Sequence, residues 1–227
     1  MTTLGNPELD ALLARLHGSS AGQDPDLISY FTDRAKAGGF DWEHFDDDAN
    51  QFMADKLVAL EQDKALFCHR LCLSLRARRV VEAGTSHGVS TIYLAEAVRQ
   101  VAAAEGGNGV VIGTEYEPAK AEAARRNWAE AGLTEFVDLR EGDLRETLAT
   151  IEGPVDFALI DIWTEMARPA LERISPHLRP GAIVVADNTT QFRDSYADYF
   201  AFIADPANRL VTQTLPFTGG LELTVRV

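Results

Sequence analysis

Acidic and amide side chains follow two apolar segments of the chain, at points where buried strands would end. Asp161 closes the segment FALID, and Asp187 and Asn188 close the segment AIVVADN. If these segments are neighbouring parallel strands, the side chains at their carboxyl ends converge on one point. Two carboxylates and an amide oxygen are hard ligands, suited to a cation such as Mg²⁺ that retains waters. The alternative, that Asp187 and Asn188 only shape a turn, leaves Asp161 unexplained.

A glycine-rich turn follows an earlier apolar segment, in the sequence EAGTSHGVS that begins at Glu82. Gly84 and Gly88 permit a tight turn and the close approach of a ligand to the backbone. The helix that follows would offer free N–H groups to a negative charge. The dinucleotide pattern G-x-G-x-x-G needs a glycine where this chain has Ser86, so a carboxylate fits as well as a phosphate. By itself the turn is a weak signal.

Two further acids stand where strands would end. Glu115, in VVIGTEYEP, is placed to accept both hydroxyls of a ribose, although it could be a surface carboxylate beside Glu117. Asp143, in REGDL, could accept the amino group of an adenine. It could equally be the N-cap of a helix, with Glu146 at the capping-box position. Together with the glycine turn, these acids favour an adenosine-containing ligand.

Alternating strands and helices must position these residues. The predicted strands are Val80–Ala83, Val110–Glu115, Phe136–Arg140, Val155–Asp161, Ala182–Ala186, Leu210–Leu215 and Leu221–Val227. The predicted helices between the first five strands are Ser90–Ala104, Pro118–Ala131, Leu144–Ile151 and Thr164–His177. This alternation predicts a parallel sheet with helices on both faces, but the turn Thr218–Gly219–Gly220 is too short for a parallel crossover. The predicted fold is therefore α/β: a Rossmann-like seven-stranded sheet, mostly parallel, with an antiparallel C-terminal hairpin.

The N-terminal part of the chain has a different composition. Residues 1–50 are acidic and rich in Gly and Asp, and we expect a helical cap or arm before a single domain over residues 51–227. Short amphipathic pieces occur at Leu9–Leu16 and Asp26–Ala35, and Asn50–Leu75 is apolar at helical spacing. Among polar residues stand three aromatics that could pack on a partner, on a ligand or on their own domain: Phe40, Trp42 and Phe45. The arm could close over a substrate or form the contact of a homodimer.

Composition limits the classes of function. The chain has 227 residues, of which 46% are hydrophobic, and a formal net charge of -14. Such an acidic surface repels a phosphate backbone, so we expect a small-molecule substrate and no nucleic acid. No apolar run approaches the length of a membrane span, and the N-terminus lacks the pattern of a signal peptide, so we expect a cytoplasmic protein without a membrane contact. The cysteines, Cys68 and Cys72, would share one helix face beside His69, which predicts buried thiols, with neither a disulfide framework nor a four-ligand metal site.

Several motifs together resemble a known family. They are EAGTSHGVS, GTEYEPAKAEAARRNW, REGDL, LIDIW, LRPGAIVVADN and GGLELTVRV. Their order and spacing resemble those of class I S-adenosylmethionine-dependent methyltransferases, in particular the catechol O-methyltransferase-like, divalent-cation-dependent O-methyltransferases. The resemblance extends over roughly residues 63–227. It implies S-adenosylmethionine as the methyl donor, a divalent cation such as Mg²⁺, and a small phenolic or catechol-like substrate.

The resemblance also implies roles for individual residues. Those around S-adenosylmethionine would be Glu82, Gly84, Thr85, Ser86, Gly88, Ser90, Glu115, Tyr116, Gly142, Asp143, Asp161 and Trp163. Within this set Glu82 and Gly84 would line the methionine end, with Ser90 near its carboxylate. Glu115 would hold the ribose, Asp143 the adenine, and Trp163 would form a wall of the substrate pocket. Asp161, Asp187 and Asn188 would hold the metal, with Asp161 as the catalytic residue.

One position departs from the family. Where a lysine commonly follows the first metal-binding acid and acts as general base, this chain has Thr164, which cannot take up a proton at neutral pH. Either the metal alone acidifies the hydroxyl, or another residue such as His87 or His44 serves, or the chemistry differs. A unit charge at 4 Å contributes about 4 kcal/mol at an effective dielectric of 20, or about three pKa units. A bound dication would then ionise a phenol, with a pKa of about 10, but not an aliphatic alcohol, near the roughly 15.7 of water.

Other functions compete with this interpretation. A metal-independent N- or O-methyltransferase of secondary metabolism would use the same donor and continue to turn over in EDTA. A non-catalytic S-adenosylmethionine-binding protein would explain the loss of the lysine, although it has little need of an open cation site. A nicotinamide-dependent oxidoreductase is disfavoured because the third glycine of its fingerprint is missing and because the predicted sheet ends in a hairpin.

Overall fold

The predicted strands all lie in one sheet. In the computed structural model, which describes residues 4–38 and 46–227, the strand order is β3-β2-β1-β4-β5-β7-β6. The strands are β1 Arg79–Ala83, β2 Val110–Glu115, β3 Val137–Glu141, β4 Val155–Ile160, β5 Leu178–Asp187, β6 Leu210–Leu215 and β7 Leu221–Arg226. The helices of the described residues are α1 Pro7–Ala21, α2 Asp24–Ala37, α3 Asp47–Met53, α4 Gln62–Leu75, α5 Val89–Glu105, α6 Pro118–Ala131, α7 Leu144–Thr147, α8 Thr164–Ile174 and α9 Ala197–Ala204. Short 3-10 helices lie at Thr134–Phe136, Ser175–His177 and Pro206–Asn208.

The pairing of the strands confirms the predicted fold. Strand β1 pairs in parallel with β2 and with β4, and the pairs β2–β3 and β4–β5 are also parallel. Strand β7 runs antiparallel to both β5 and β6. The order of the strands reverses between β1 and β4, so a crevice opens at the carboxyl ends of these two strands. The acids predicted to do chemistry stand at those ends.

The predicted helical stretch Asn50–Leu75 is interrupted. Helix α3 ends at Met53 and α4 begins at Gln62, so Leu57 and Leu60 lie on a segment without regular helix. Hydrogen bonds from the N-terminal helices fix this segment. The Gln23 side chain accepts from the Leu57 amide at 3.2 Å, and Ser20 Oγ accepts from the Ala59 amide at 3.1 Å. Both leucines are buried although neither lies in a helix. The continuous helix that their spacing predicted is therefore wrong at this segment.

Other element boundaries differ for local reasons. The predicted helix Leu144–Ile151 is reduced to the single turn α7, because the Arg140 guanidinium donates to the carbonyls of Thr147 and Thr150 at 2.9 and 2.6 Å. The predicted helix Thr164–His177 is α-helical only to Ile174 and continues as a 3-10 turn. Strand β5 begins four residues before its predicted start at Ala182.

The hydrophobic core includes part of the predicted arm. Leu9, Leu12, Leu13 and Leu16 of α1 are buried in the same cluster as Val80 of β1. In contrast, no residue of α2 is buried. The predicted boundary between residues 50 and 51 falls inside α3. The aromatics at positions 40, 42 and 45 and the histidine at position 44 lie outside the described residues.

The cysteines are free and buried on α4, as predicted. His69 beside them is also buried, and neither of its ring nitrogens has a hydrogen-bond partner in the described part of the chain. Among the described helices, none combines the length and the apolar composition needed to cross a membrane.

Candidate active site

A cavity of about 940 Å³ lies at the carboxyl ends of the parallel strands. Every residue predicted to bind cofactor or metal lines this cavity, except Glu82 and Gly88. The lining residues from the prediction are Gly84, Thr85, Ser86, Ser90, Glu115, Tyr116, Gly142, Asp143, Asp161, Trp163, Asp187 and Asn188. Residues that are distant in the sequence are thus brought together at the point where the strand order reverses, which is where open α/β sheets bind ligands.

Glu82 lies beneath the glycine turn. Its fully buried carboxylate accepts hydrogen bonds from Thr85 Oγ1 at 2.9 Å, Ser90 Oγ at 2.7 Å and Thr91 Oγ1 at 2.5 Å. Burial raises the pKa of Glu82 to about 7, while the three hydroxyl donors act to lower it. Because Thr85 and Ser90 line the cavity, these hydrogen bonds let Glu82 fix two residues of the cavity wall from beneath.

The two glycines of the turn, Gly84 and Gly88, are required for different structural reasons. Gly84 has φ +91°, and a Cβ at this position would lie 2.0 Å from the carbonyl oxygen of Asp161. Only glycine therefore permits the ends of β1 and β4 to approach so closely. Gly88 has φ +74° and faces α6, where a Cβ would lie 2.4 Å from Trp128 Nε1. The Trp128 ring N–H donates to the Gly88 carbonyl at 3.1 Å. Gly88 thus shapes the turn without lining the cavity.

Two backbone amides hold Glu115 in place. The amide of Ser86 donates to Oε2 at 2.6 Å, and that of Glu117 donates to Oε1 at 2.8 Å. Gly142 donates its amide to the Glu115 carbonyl at 2.9 Å and has φ +121°. The carboxylate at the end of β2 is thus held at the cavity wall before any ligand arrives, which reduces the ordering cost of binding.

Asp143 caps α7, as one of its two interpretations predicted. Its Oδ1 accepts from the Arg145 amide at 2.8 Å, and its carboxylate pairs with the Arg145 guanidinium. Hydrogen bonds from the side chain and backbone of Arg145 lower the pKa of Asp143 to about 2. The carboxylate lines the cavity while it caps the helix, so capping does not exclude contact with a ligand.

The cation-binding set predicted from sequence lies together on the cavity wall. Asn188 Nδ2 donates to Asp187 Oδ2 at 3.1 Å, and Asn188 has φ +56°. Tyr196 donates its hydroxyl to the Asp187 carbonyl at 2.9 Å and keeps the end of β5 in place. Within the described residues, no donor lies within hydrogen-bonding distance of the Asp161 carboxylate. Burial, then the charges of Asp187 and Glu82, raises the pKa of Asp161 well above its ordinary value. Negative charges crowded around an oxygen donor without a partner fit a hard divalent cation.

One buried lysine of the site, Lys64, was not predicted from the sequence. Lys64 lies on the first turn of α4, and its side chain is 0% exposed. Its Nζ donates to Asp187 Oδ1 at 2.6 Å and pairs with Glu61 Oε2 at 2.8 Å. Burial disfavours the ammonium form, but these two carboxylates raise the pKa of Lys64 above its ordinary value. The available signal was its spacing, since Lys64, Cys68 and Cys72 form one stripe at intervals of four residues.

The remaining wall of the cavity is largely apolar. Side chains from several elements form it: Phe31, Met53, Leu57, Trp163, Met166, Phe192 and Tyr196. Thr164, at the start of α8, lines the cavity, as does His87, whose pKa is lowered by burial and by the nearby charge of Lys120. The cavity thus combines an apolar wall with many polar and charged side chains, which suits a small organic ligand that also carries polar groups.

The chain is similar to known proteins both in sequence and in structure. Residues 81–189 match a family model described as "Methyltransferase domain". A catechol O-methyltransferase of Mycobacterium tuberculosis is 35% identical over 132 residues, which cover 58% of this chain and 57% of that protein. A catechol O-methyltransferase of Niastella koreensis is 34% identical over 139 residues, or 58% of each chain. The match thus spans less than two thirds of the length of these curated relatives.

The structural similarity to solved proteins covers most of the chain. A cofactor-bound protein from MTB, Rv0187, superposes with a TM-score of 0.67 at 25% identity, and the match covers 88% of this chain and 95% of that one. An O-methyltransferase from Bacillus cereus in complex with SAH gives a TM-score of 0.67 at 22% identity, over 79% and 88% of the two chains. The Rossmann-like fold inferred from the strand pairing is confirmed by these structures.

Proposed function

We propose that this chain transfers a methyl group from S-adenosylmethionine to a hydroxyl oxygen of a small molecule, as an O-methyltransferase of the catechol O-methyltransferase type. Its residues 81–189 match a family model described as a methyltransferase domain. One observation carries the proposal. Most of the acids and glycines expected at the donor site line a single cavity at the switch point of the sheet: Gly84, Glu115, Gly142, Asp143 and Asp161. The curated relatives named catechol O-methyltransferase support the nature of the acceptor.

The donor would lie along the carboxyl ends of β1, β2 and β3. Thr85 and Ser90, whose hydroxyls donate to Glu82, would line its methionine end. Glu115, fixed by two amides, would accept the ribose hydroxyls. Asp143 would accept from the adenine amino group. Each assignment is the one that the family resemblance implies, and the place of the residue at or beneath the cavity is compatible with it.

Methyl transfer requires the acceptor oxygen to be aligned with the donor and to lose its proton. The apolar wall would orient a flat ring, and Asp161, Asp187 and Asn188 would hold a divalent cation at its polar end. When bound, such a cation acts as a Lewis acid that lowers the pKa of a hydroxyl. Thr164 has no group that titrates near neutral pH, and this favours an acceptor that is itself acidic. We therefore expect a phenol or catechol and not an aliphatic alcohol.

A turnover assay tests this proposal. The full chain is incubated with S-adenosylmethionine, Mg²⁺, and either catechol or a cyclohexanediol of similar size, and methylated product is measured by mass spectrometry. We expect product from catechol, at least about a hundredfold more than from the alcohol, because their starting pKa values differ by several units. Preference for the alcohol would contradict the assignment of the acceptor. Binding of the donor without turnover of any acceptor would favour a non-catalytic binding protein.

A metal-independent methyltransferase is the second candidate. The observation that favours it is the Lys64 ammonium, which already holds one oxygen of Asp187. The same assay in EDTA separates the two candidates. Product that persists in EDTA supports the metal-independent enzyme, whereas loss of product that Mg²⁺ restores supports the cation-dependent one.

A further inference from the structure

Lys64 places a positive charge inside the proposed cation site. Its Nζ lies 2.6 Å from Asp187 Oδ1, and the side chains of both residues are almost fully buried, at 0% and 4% exposure. Glu61, the second anion on Nζ, is 49% exposed at the start of α4. A buried charge is costly unless it is paired, so this lysine is held in the interior by the carboxylate of Asp187.

Both oxygens of Asp187 already have donors. Lys64 holds Oδ1, and the Asn188 amide holds Oδ2 at 3.1 Å. The two donors differ in kind. A rotation of the Asn188 amide group by half a turn exchanges its N–H₂ for its oxygen, so that contact can become a pair of cation ligands. The ammonium of Lys64 has no acceptor to offer and keeps its charge in every orientation.

We propose that Lys64 is a built-in counter-ion of Asp187, which weakens the binding of a divalent cation at Asp161, Asp187 and Asn188. This inference rests on the proposed cation site. A dication held by Asp187 would share that carboxylate with the ammonium, and two cations on one carboxylate repel each other. When no cation is bound, Lys64 keeps the Asp187 carboxylate in an ion pair. The site is therefore formed before the cation arrives, and the cation binds reversibly.

Calorimetric titration of Mn²⁺ into the full chain tests this inference without turnover. Lys64→Gln keeps a hydrogen-bond donor for Asp187 and removes the charge, and Lys64→Met removes both. We expect each variant to bind Mn²⁺ at least about tenfold more tightly than the wild type, because the repulsion is gone. Lys64→Arg keeps the charge and serves as the matched control, with an affinity within about threefold of the wild type. Thermal unfolding verifies that each variant is folded.

Asp187→Asn separates failure of the inference from failure of the cation site. One outcome is that Asp187→Asn loses Mn²⁺ binding while Lys64→Gln and Lys64→Met bind Mn²⁺ no more tightly than the wild type. This outcome would support the cation site but overturn the counter-ion role of Lys64. If Asp187→Asn binds Mn²⁺ like the wild type, the cation lies elsewhere and both are overturned. Tighter binding in the two uncharged variants supports the counter-ion role even if the chain methylates no catechol.

Discussion

At the scale of single residues, the site depends on glycines whose replacement has calculable consequences. Gly84→Ala places a Cβ at 2.0 Å from a backbone oxygen at φ +91°, where no flexible side chain can yield. We expect a loss of at least about 2 kcal/mol in the free energy of unfolding, together with loss of donor binding. Gly132→Ala is the control, since φ is +67° but no atom lies within 4 Å. It should cost only about 1 kcal/mol. Urea unfolding of both variants measures the difference, and equal losses would contradict the steric explanation.

The burial of His69 predicts how the free energy of unfolding depends on pH. Burial, with a smaller contribution from Arg70, lowers its pKa from 6.5 to about 4, while Glu96 opposes the shift. Because the unfolded chain binds the proton more tightly, His69 leaves stability intact above pH 6.5 and lowers it as the pH falls towards 4. The contribution is on the order of 3 kcal/mol. In His69→Met this part of the acid sensitivity should disappear, as measured by denaturant unfolding between pH 7 and 4. An unchanged profile would show that His69 is not buried as a neutral ring.

Site residues at the ends of strands were easier to predict from the sequence than residues that depend on distant partners. Asp161, Asp187 and Glu115 were found because they end apolar segments, and the carboxyl ends of parallel strands meet at one edge. Lys64 was not found because its partner Asp187 is 123 residues away, and only the folded chain brings the two together. Glu82 was placed at the correct turn, but its position beneath the cavity depends on the hydroxyls that surround it.

At the scale of elements, the hairpin between β6 and β7 packs against the proposed cation site. The carbonyl of Gly219 accepts from the amides of Thr190 and Gln191, both at 2.9 Å. A Cβ at Gly219 would lie 2.4 Å from Asn188 Oδ1. The hairpin turn was predicted as a mark of the fold, but its contact with Asn188 could not be read from the local sequence.

This contact gives a third prediction. Gly219→Ala should displace Asn188 and weaken Mn²⁺ binding by about tenfold or more, since one ligand of the site is lost. Binding of S-adenosylmethionine should stay within about twofold of the wild type, because the donor site lies on other strands. Gly181→Ala, at φ +79° with only an arginine side chain nearby, is the control. A parallel loss of cation and donor binding in Gly219→Ala would indicate general misfolding instead.

Element boundaries were predictable where one helix forms its own apolar face. Helix α6 runs from Pro118 to Ala131, as its sequence predicted. The break between α3 and α4 was not predictable, since hydrogen bonds from Ser20 and Gln23 fix that segment from another part of the chain. Periodicity reports the burial of apolar residues, but not the backbone that carries them.

At the scale of the whole molecule, α1 is part of the core and α2 is not. Leu13 is 0% exposed within the main cluster, whereas Ile28 on α2 is 66% exposed. Leu13→Ala should therefore cost about 2–5 kcal/mol of unfolding free energy, and Ile28→Ala less than about 0.5 kcal/mol. Urea unfolding of the two variants compares them directly. Similar small losses would show instead that α1 is a detachable arm.

The central claim is that the cavity between β1 and β4 binds S-adenosylmethionine. The most direct test is calorimetric titration of S-adenosylmethionine into the full chain and into Glu115→Gln, which removes the charge of the acid that would hold the ribose. We expect S-adenosylmethionine to bind to one site with a micromolar Kd, and its affinity to fall at least about tenfold in the variant, since a hydrogen bond to a charged group contributes roughly 1.5–3 kcal/mol. Absence of binding to the wild type, or equal binding to both proteins, would contradict it.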